Sequence, residues 1–220
     1  MSITQNLLAI KSKLPENVKL VAVSKTKPIK DLMEAYQAGQ RIFGENKIQE
    51  MTDKWEALPK DIQWHMIGHV QSNKVKYMVP YVALIHGVDS IKLLEEINKQ
   101  ASKINRIIDC LLQVFIAKEE TKFGLDETEL KDILKKTSNH QSFQNINIIG
   151  LMGMASFTND DNQITTEFNY LKSLFDQFKS FNGNNINFSV LSMGMSGDYE
   201  TAIACGSNMV RIGSHIFGGR

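Results

Sequence analysis

Eight short, mainly apolar runs, spread along the whole chain and separated by stretches of helical periodicity, constrain the fold more than any other feature. They lie at 20–25, 41–46, 62–68, 82–88, 109–117, 147–154, 187–192 and 208–213. Each is continuous rather than alternating, the pattern of strands buried on both faces of a parallel sheet. Between them, Ile164, Phe168, Leu171, Phe175 and Phe178 fall at helical spacing, and 91–103 forms a second clear helix with Ser90 placed to cap it. Pro28, after Thr26 and Lys27, suits the first turn of another. The last run reaches almost to the end of the chain and leaves no room for a following helix. The stretch before the first run, with Leu7, Ile10 and Leu14 on one face, can cover that gap. This alternation predicts an α/β architecture: a single (β/α)8 TIM barrel with an N-terminal helix before the first strand. An open doubly wound sheet is the alternative. The segment 136–145, rich in Ser, Asn and Gln, reads as a surface loop. No linker divides the chain, so residues 1–220 are expected to form one domain.

Composition narrows the function classes. A chain of 220 residues, 42% hydrophobic, can bury one good core. The formal net charge of +1 is spread without a basic block, so a nucleic-acid role lacks its electrostatic footprint. The N-terminus lacks the pattern of a signal peptide, and no apolar stretch approaches a membrane span. Cys110 and Cys205 are distant in sequence and read as small hydrophobes in a reducing compartment. A cytoplasmic protein with no membrane and no nucleic-acid partner is expected.

In a barrel of this kind, chemistry collects at the C-terminal ends of the strands. The unusual residues gather there: Lys25 after the first run, Asn46 after the second, His65 to His69 at the third, Asp89 after the fourth, and Gly150 to Met154 at the sixth. Ser192 to Gly197 close the seventh, and Arg211 to Ser214 the eighth. Strand alternation would put Val21, Val23, Lys25 and Lys27 on one face. Two like charges and partial burial favour a neutral amine, the form that attacks an aldehyde. Ser196-Gly197, at the start of a predicted helix over 198–205, and Gly213-Ser214 both suit an anion, although Asp198 and Glu200 also suit the helix start. His65 and His69 have the spacing of a helical metal pair but lie on a strand and its exit, and no third ligand is in view. The methionines 152, 154, 193 and 195 read as packing. No metal site is expected.

The segments Ala22-Val23-Ser24-Lys25-Thr26-Lys27-Pro28, Phe43-Gly44-Glu45-Asn46 and Trp64-His65-Met66-Ile67-Gly68-His69-Val70-Gln71-Ser72-Asn73-Lys74 carry a family resemblance. Gly150-Leu151-Met152, Leu191-Ser192-Met193-Gly194-Met195-Ser196 and Val210-Arg211-Ile212-Gly213-Ser214 extend it over nearly the whole chain. The chain resembles the YggS/PROSC group of pyridoxal phosphate homeostasis proteins, whose fold is like the barrel domain of alanine racemase. The resemblance implies that Lys25 forms a Schiff base with pyridoxal 5'-phosphate. It implies that Ser196, Gly213 and Ser214 hold the phosphate, that Arg211 faces the pyridine nitrogen, and that Asn46 and His65 line the site near the ring; Ser192 and Gly197, in the same seventh-strand segment as Ser196, are expected to bind the cofactor as well. A guanidinium opposite that nitrogen makes the ring a poor electron sink. Two departures are visible: Phe115 stands where the family carries an asparagine, and Thr121-Lys122-Phe123-Gly124 replaces its Ser-Lys-Ser-Gly.

Two functions follow. One is a carrier that buffers the cofactor and maintains vitamin B6 and amino-acid balance, with no catalytic residues of its own and with pyridoxal phosphate-dependent apo-enzymes as recipients. The other is a small racemase or lyase with Lys25 as base, for which Tyr199, His65 and His215 are the candidate second acids. The racemase arrangement needs a tyrosine from a further domain that this chain lacks, so the carrier and a monomer are the expectation.

Overall fold

The computed structural model describes residues 2–118, 123–138, 142–181, 183 and 185–219. Among them, eight parallel strands close into a barrel in sequence order: β1 (Lys19–Val23), β2 (Ile42–Glu45), β3 (Gln63–Met66), β4 (Val82–Val88), β5 (Ile108–Gln113), β6 (Ile146–Met152), β7 (Ile186–Met195) and β8 (Met209–Ile212). The helices are α1 (Ile3–Lys11), α2 (Ile29–Gln37), α3 (Ile48–Ala57), α4 (Val75–Met78), α5 (Ile91–Ser102), α6 (Glu127–Thr137), α7 (Asp161–Lys179), α8 (Tyr199–Ala204) and α9 (Ser214–Phe217). A closed sheet leaves no unpaired edge, and the helices cover its outer face.

The expected barrel is present, with shifts at its ends. Six strands stop before the residues at their predicted exits, because Lys25, Asn46, Gly68, Ala117, Met154 and Gly213 belong to the loops that follow. β7 is longer than predicted: Met193, Gly194 and Met195 continue it through a register shift against β8. Gly194 makes this possible at φ +95°, where a Cβ would lie 2.6 Å from that of Ala202. Ser90 caps α5 by accepting the Leu93 N–H. Pro28 is the N-cap of α2, with an extended ψ of 156°, rather than a residue of its first turn. β8 is followed by the single turn of α9, and α1 packs against α9 and α2 with Leu7 and Ile10 buried. The Asn6 amide fastens α1 by donating to Ile216 O at 3.1 Å. Most of the predicted loop at 136–145 is irregular or ends α6, and Asn139 to Gln141 lie outside the described residues.

The barrel interior is layered. Val21, Leu84, Leu111, Met152, Val190 and Met209 form a small apolar cluster, separate from the larger core between sheet and helices. On the same strands, further toward the C-terminal ends, the inward positions turn polar at His86, Gln113, Ser192 and Arg211. The strand backbone must approach closely at Gly150, where φ is +151° and a Cβ would fall 1.8 Å from Val190 O. Gly150→Ala is therefore expected to destabilise the barrel by roughly 3 kcal/mol or more, from strain and overpacking together. A shift of the urea midpoint measures it, and a midpoint within error of the parent would contradict it.

Candidate functional site

The C-terminal ends of the strands open into a cavity of about 660 Å³. Lys25, Asn46, Ser196, Gly197, Arg211, Gly213 and Ser214 line it. Ile67, Phe123, Met154 and Phe157 supply an apolar wall, and Gly218 and Gly219 bring the C-terminal segment to its edge. The loops after β7 and β8 are joined where Ser196 Oγ accepts the Gly213 N–H at 3.3 Å. Ser196 is not a helix cap: α8 begins at Tyr199 with Asp198 before it, and Asp198 accepts the Met195 N–H at 2.5 Å.

Lys25 sits on a tight turn rather than at a strand end. Ser24 O accepts the Lys27 N–H at 3.0 Å, and Thr26 has φ +63°. The turn breaks the strand alternation, and although Lys25 and Lys27 both line the cavity, their amines are held differently. The Lys27 amine donates to Phe217 O, Gly218 O and Gly219 O at 3.1, 3.1 and 2.8 Å, closing the C-terminal segment over the cavity edge. Lys25 is half-buried, and among the described residues no hydrogen bond or ion pair engages its amine.

His65 and Ser192 do not line the cavity; they lie beneath it. Arg211, itself buried, donates through Nη1 to Ser192 Oγ at 2.6 Å and Ser192 O at 2.9 Å, and through Nη2 to Gly153 O at 3.1 Å. Ser192 Oγ is 3.1 Å from His86 Nδ1, and His86 Nε2 is 3.0 Å from His65 Nδ1. The guanidinium can only donate, so Ser192 Oγ accepts from it, and the serine hydroxyl, His86 and His65 continue one buried chain of hydrogen bonds. Both imidazoles are neutral in this chain. Burial lowers the His65 pKa to about 3 and holds His86 well below the usual value, His65 and Arg211 adding to the effect on His86. Burial also brings Arg211 down to about 10, which leaves it cationic at neutral pH.

The two histidines predict acid lability. Unfolded, each takes up a proton near 6.5; folded, neither does until far lower pH. The unfolded state therefore binds more protons, and stability falls as pH drops through 6.5, reaching its limit for His65 near pH 3. Between about pH 6.5 and about pH 5 His65 should remove roughly 2 kcal/mol, and His86 acts in the same direction. Urea unfolding of His65→Gln should show an acid slope shallower by that amount. An unchanged slope would contradict the buried neutral pair.

His86 was not singled out from the sequence; its signal is a histidine inside the apolar run Leu84-Ile85-His86-Gly87-Val88. Gln113, which lines the cavity and donates to Phe123 O at 2.8 Å, was missed as well. Phe115 lies beyond β5, more than one third exposed, and does not line the cavity. Phe123 does line it and meets the His69 ring edge-on at 5.2 Å, while Thr121 and Lys122 fall outside the described residues. His69 pairs with Asp89 at 3.2 Å on the rim, apart from the buried His65. Among the described residues no three His, Cys, Asp or Glu side chains group as metal ligands, and no helix is long and apolar enough to cross a membrane. Of the candidate second acids, Tyr199 donates to Glu200 at 2.8 Å, and neither it nor His65 nor His215 lines the cavity.

Comparison with known proteins agrees with this geometry. The model of the family described as "Alanine racemase, N-terminal domain" matches residues 1–220. The pyridoxal phosphate homeostasis protein of Aquifex aeolicus is 39% identical over 92% of this chain and 87% of that protein. Its namesake in Pasteurella multocida is 37% identical over 100% of this chain and 98% of its own length. Among solved structures, PipY of Synechococcus elongatus without pyridoxal phosphate superposes with a TM-score of 0.92 at 34% identity, over 99% of this chain and all of PipY. The same protein with pyridoxal phosphate bound gives 0.89. Alanine racemase of E. faecalis, 19% identical and 58% covered, shares the fold at a TM-score of 0.74. With its closed barrel, a lysine on the turn after the first strand and these full-length relatives, the chain belongs to the alanine racemase N-terminal domain family, alongside the pyridoxal phosphate homeostasis proteins.

Proposed function

We propose that the protein binds pyridoxal 5'-phosphate at the barrel mouth, covalently through Lys25, and acts as a carrier that buffers the cofactor without turnover of its own. The observation that carries this reading is the half-buried Lys25, its amine unengaged among the described residues, on the wall of a cavity whose other groups match the ligand. The donor set fits. Ser196 and Ser214 bring hydroxyls to the cavity for a phosphate, beside Gly197 and Gly213 on the same two loops. Arg211 would face the ring nitrogen, held there by Ser192 and Gly153, and keeps its own protons. Bound, the cofactor supplies an aldehyde, which condenses with a primary amine and releases water.

The protein is read as one unit over 1–220, working in the cytoplasm as a monomer, with pyridoxal phosphate-dependent apo-enzymes as recipients. Racemisation would need a second proton-transfer group opposite Lys25, and Tyr199, His65 and His215 all lie off the cavity wall, which favours the carrier over a racemase. Loaded protein incubated with alanine and serine in deuterated water should leave their α-hydrogens in place. Incorporation of deuterium that disappears in Lys25→Ala would establish an enzyme instead.

A further inference from the structure

The two residues that flank Lys25 are held by a buried charged cluster that touches the cavity nowhere. Lys54, on α3, is 5% exposed and Glu45, at the end of β2, is fully buried. The three ammonium hydrogens of Lys54 go to Ser24 O at 2.8 Å, Glu45 Oε1 at 2.7 Å and Glu50 Oε1 at 2.7 Å. Ser24 Oγ donates to Glu45 Oε1 at 2.6 Å, and Glu50 Oε1 accepts the Thr26 N–H at 2.6 Å. Residue 24 is thus bound through both its carbonyl and its hydroxyl, and residue 26 through its amide, with Lys25 between them. Thr26 needs such help: at φ +63° it occupies the left-handed region that β-branched side chains avoid, at the turn position glycine usually fills. Burial raises the Glu45 pKa despite the Lys54 ammonium, so this is a costly way to brace a turn that serves only packing. Glu45, Glu50 and Lys54 are absent from the cavity wall.

We infer that Glu45, Lys54 and Glu50 form a positioning clamp that holds Ser24 and Thr26, on either side of Lys25, so that the Lys25 amine meets a carbonyl carbon in the cavity. The inference rests on the cofactor reading of Lys25. In the step it serves, the amine nitrogen bonds to the aldehyde carbon, the carbonyl oxygen leaves as water, and a C=N bond remains. Misplacing the attacking atom by a fraction of its reach slows such a step while contacts elsewhere persist.

Glu50, the partly exposed member, gives the test. The rate of covalent bond formation with pyridoxal 5'-phosphate is measured by rapid mixing and borohydride trapping. Affinity for pyridoxine 5'-phosphate, an alcohol unable to form the bond, is measured alongside. Glu50→Ala should slow bond formation about tenfold or more with the alcohol's affinity unchanged, and Glu50→Gln, which restores an acceptor for the Thr26 N–H, should recover most of the rate. An unchanged rate in Glu50→Ala, or a parallel fall in rate and alcohol affinity, overturns the clamp while the parent still forms its adduct. A parent that forms no adduct overturns the cofactor reading and the clamp with it.

Discussion

Lys25→Ala should keep the barrel and lose covalent retention of pyridoxal 5'-phosphate entirely. The side chain makes no bond to the described fold, so its removal should change stability by about 0.5 kcal/mol or less, in the range of substitutions away from packed or paired positions. The cavity's phosphate-end groups and Arg211 remain, and the variant should still bind the cofactor weakly and reversibly. Lys27 cannot take over, because its amine is spent on three carbonyls of the C-terminal segment. Absorbance after gel filtration reads the outcome: a stoichiometric chromophore in the parent and in Lys27→Ala, and none in Lys25→Ala. A chromophore that survives in Lys25→Ala would place the attachment elsewhere.

The largest stability effect should come from Lys54→Met, expected to cost about 3–5 kcal/mol. The substitution leaves the Glu45 carboxyl buried with its cation gone, and strips Ser24 O of a donor. The energy at stake is the stranded charge rather than the pair itself, because two charges withdrawn from water gain little net stability from meeting. Glu45→Leu/Lys54→Met should therefore recover a large part of the loss. Urea unfolding of the two variants decides it. A double variant as unstable as Lys54→Met would show that the pair contributes net stability, and a Lys54→Met midpoint near the parent's would show that Glu45 finds another way to be satisfied.

How much could be read in advance depended on what kind of signal each residue carries. β4 was legible to the residue, because Val82 to Val88 is an apolar run on both faces and has turn signals at its ends. β1 and β5 stop short of prediction because Lys25 and Phe115 continue an apolar or strand-like composition past the last paired residue, and composition does not record where parallel pairing ends. β7 overran its prediction because Gly194, which reads as a breaker, is the residue that allows a bulge. At the site, Lys25, Asn46, Ser196, Gly197, Arg211, Gly213 and Ser214 share one cavity as expected. His65 and Ser192, expected among the cofactor contacts, lie beneath the cavity rather than on its wall: period-two alternation tells which way a side chain points and not which layer it occupies. His86, Glu50 and Lys54 were hidden for a related reason. A lone histidine in a strand and charged residues on a helix look like packing or solvated surface until the fold brings their partners together.

The most direct test of the account is borohydride reduction of the protein after addition of pyridoxal 5'-phosphate, followed by peptide mass mapping. The account predicts one reduced adduct per chain, on the peptide containing Lys25. An adduct scattered over surface lysines, or concentrated at another lysine, would contradict it.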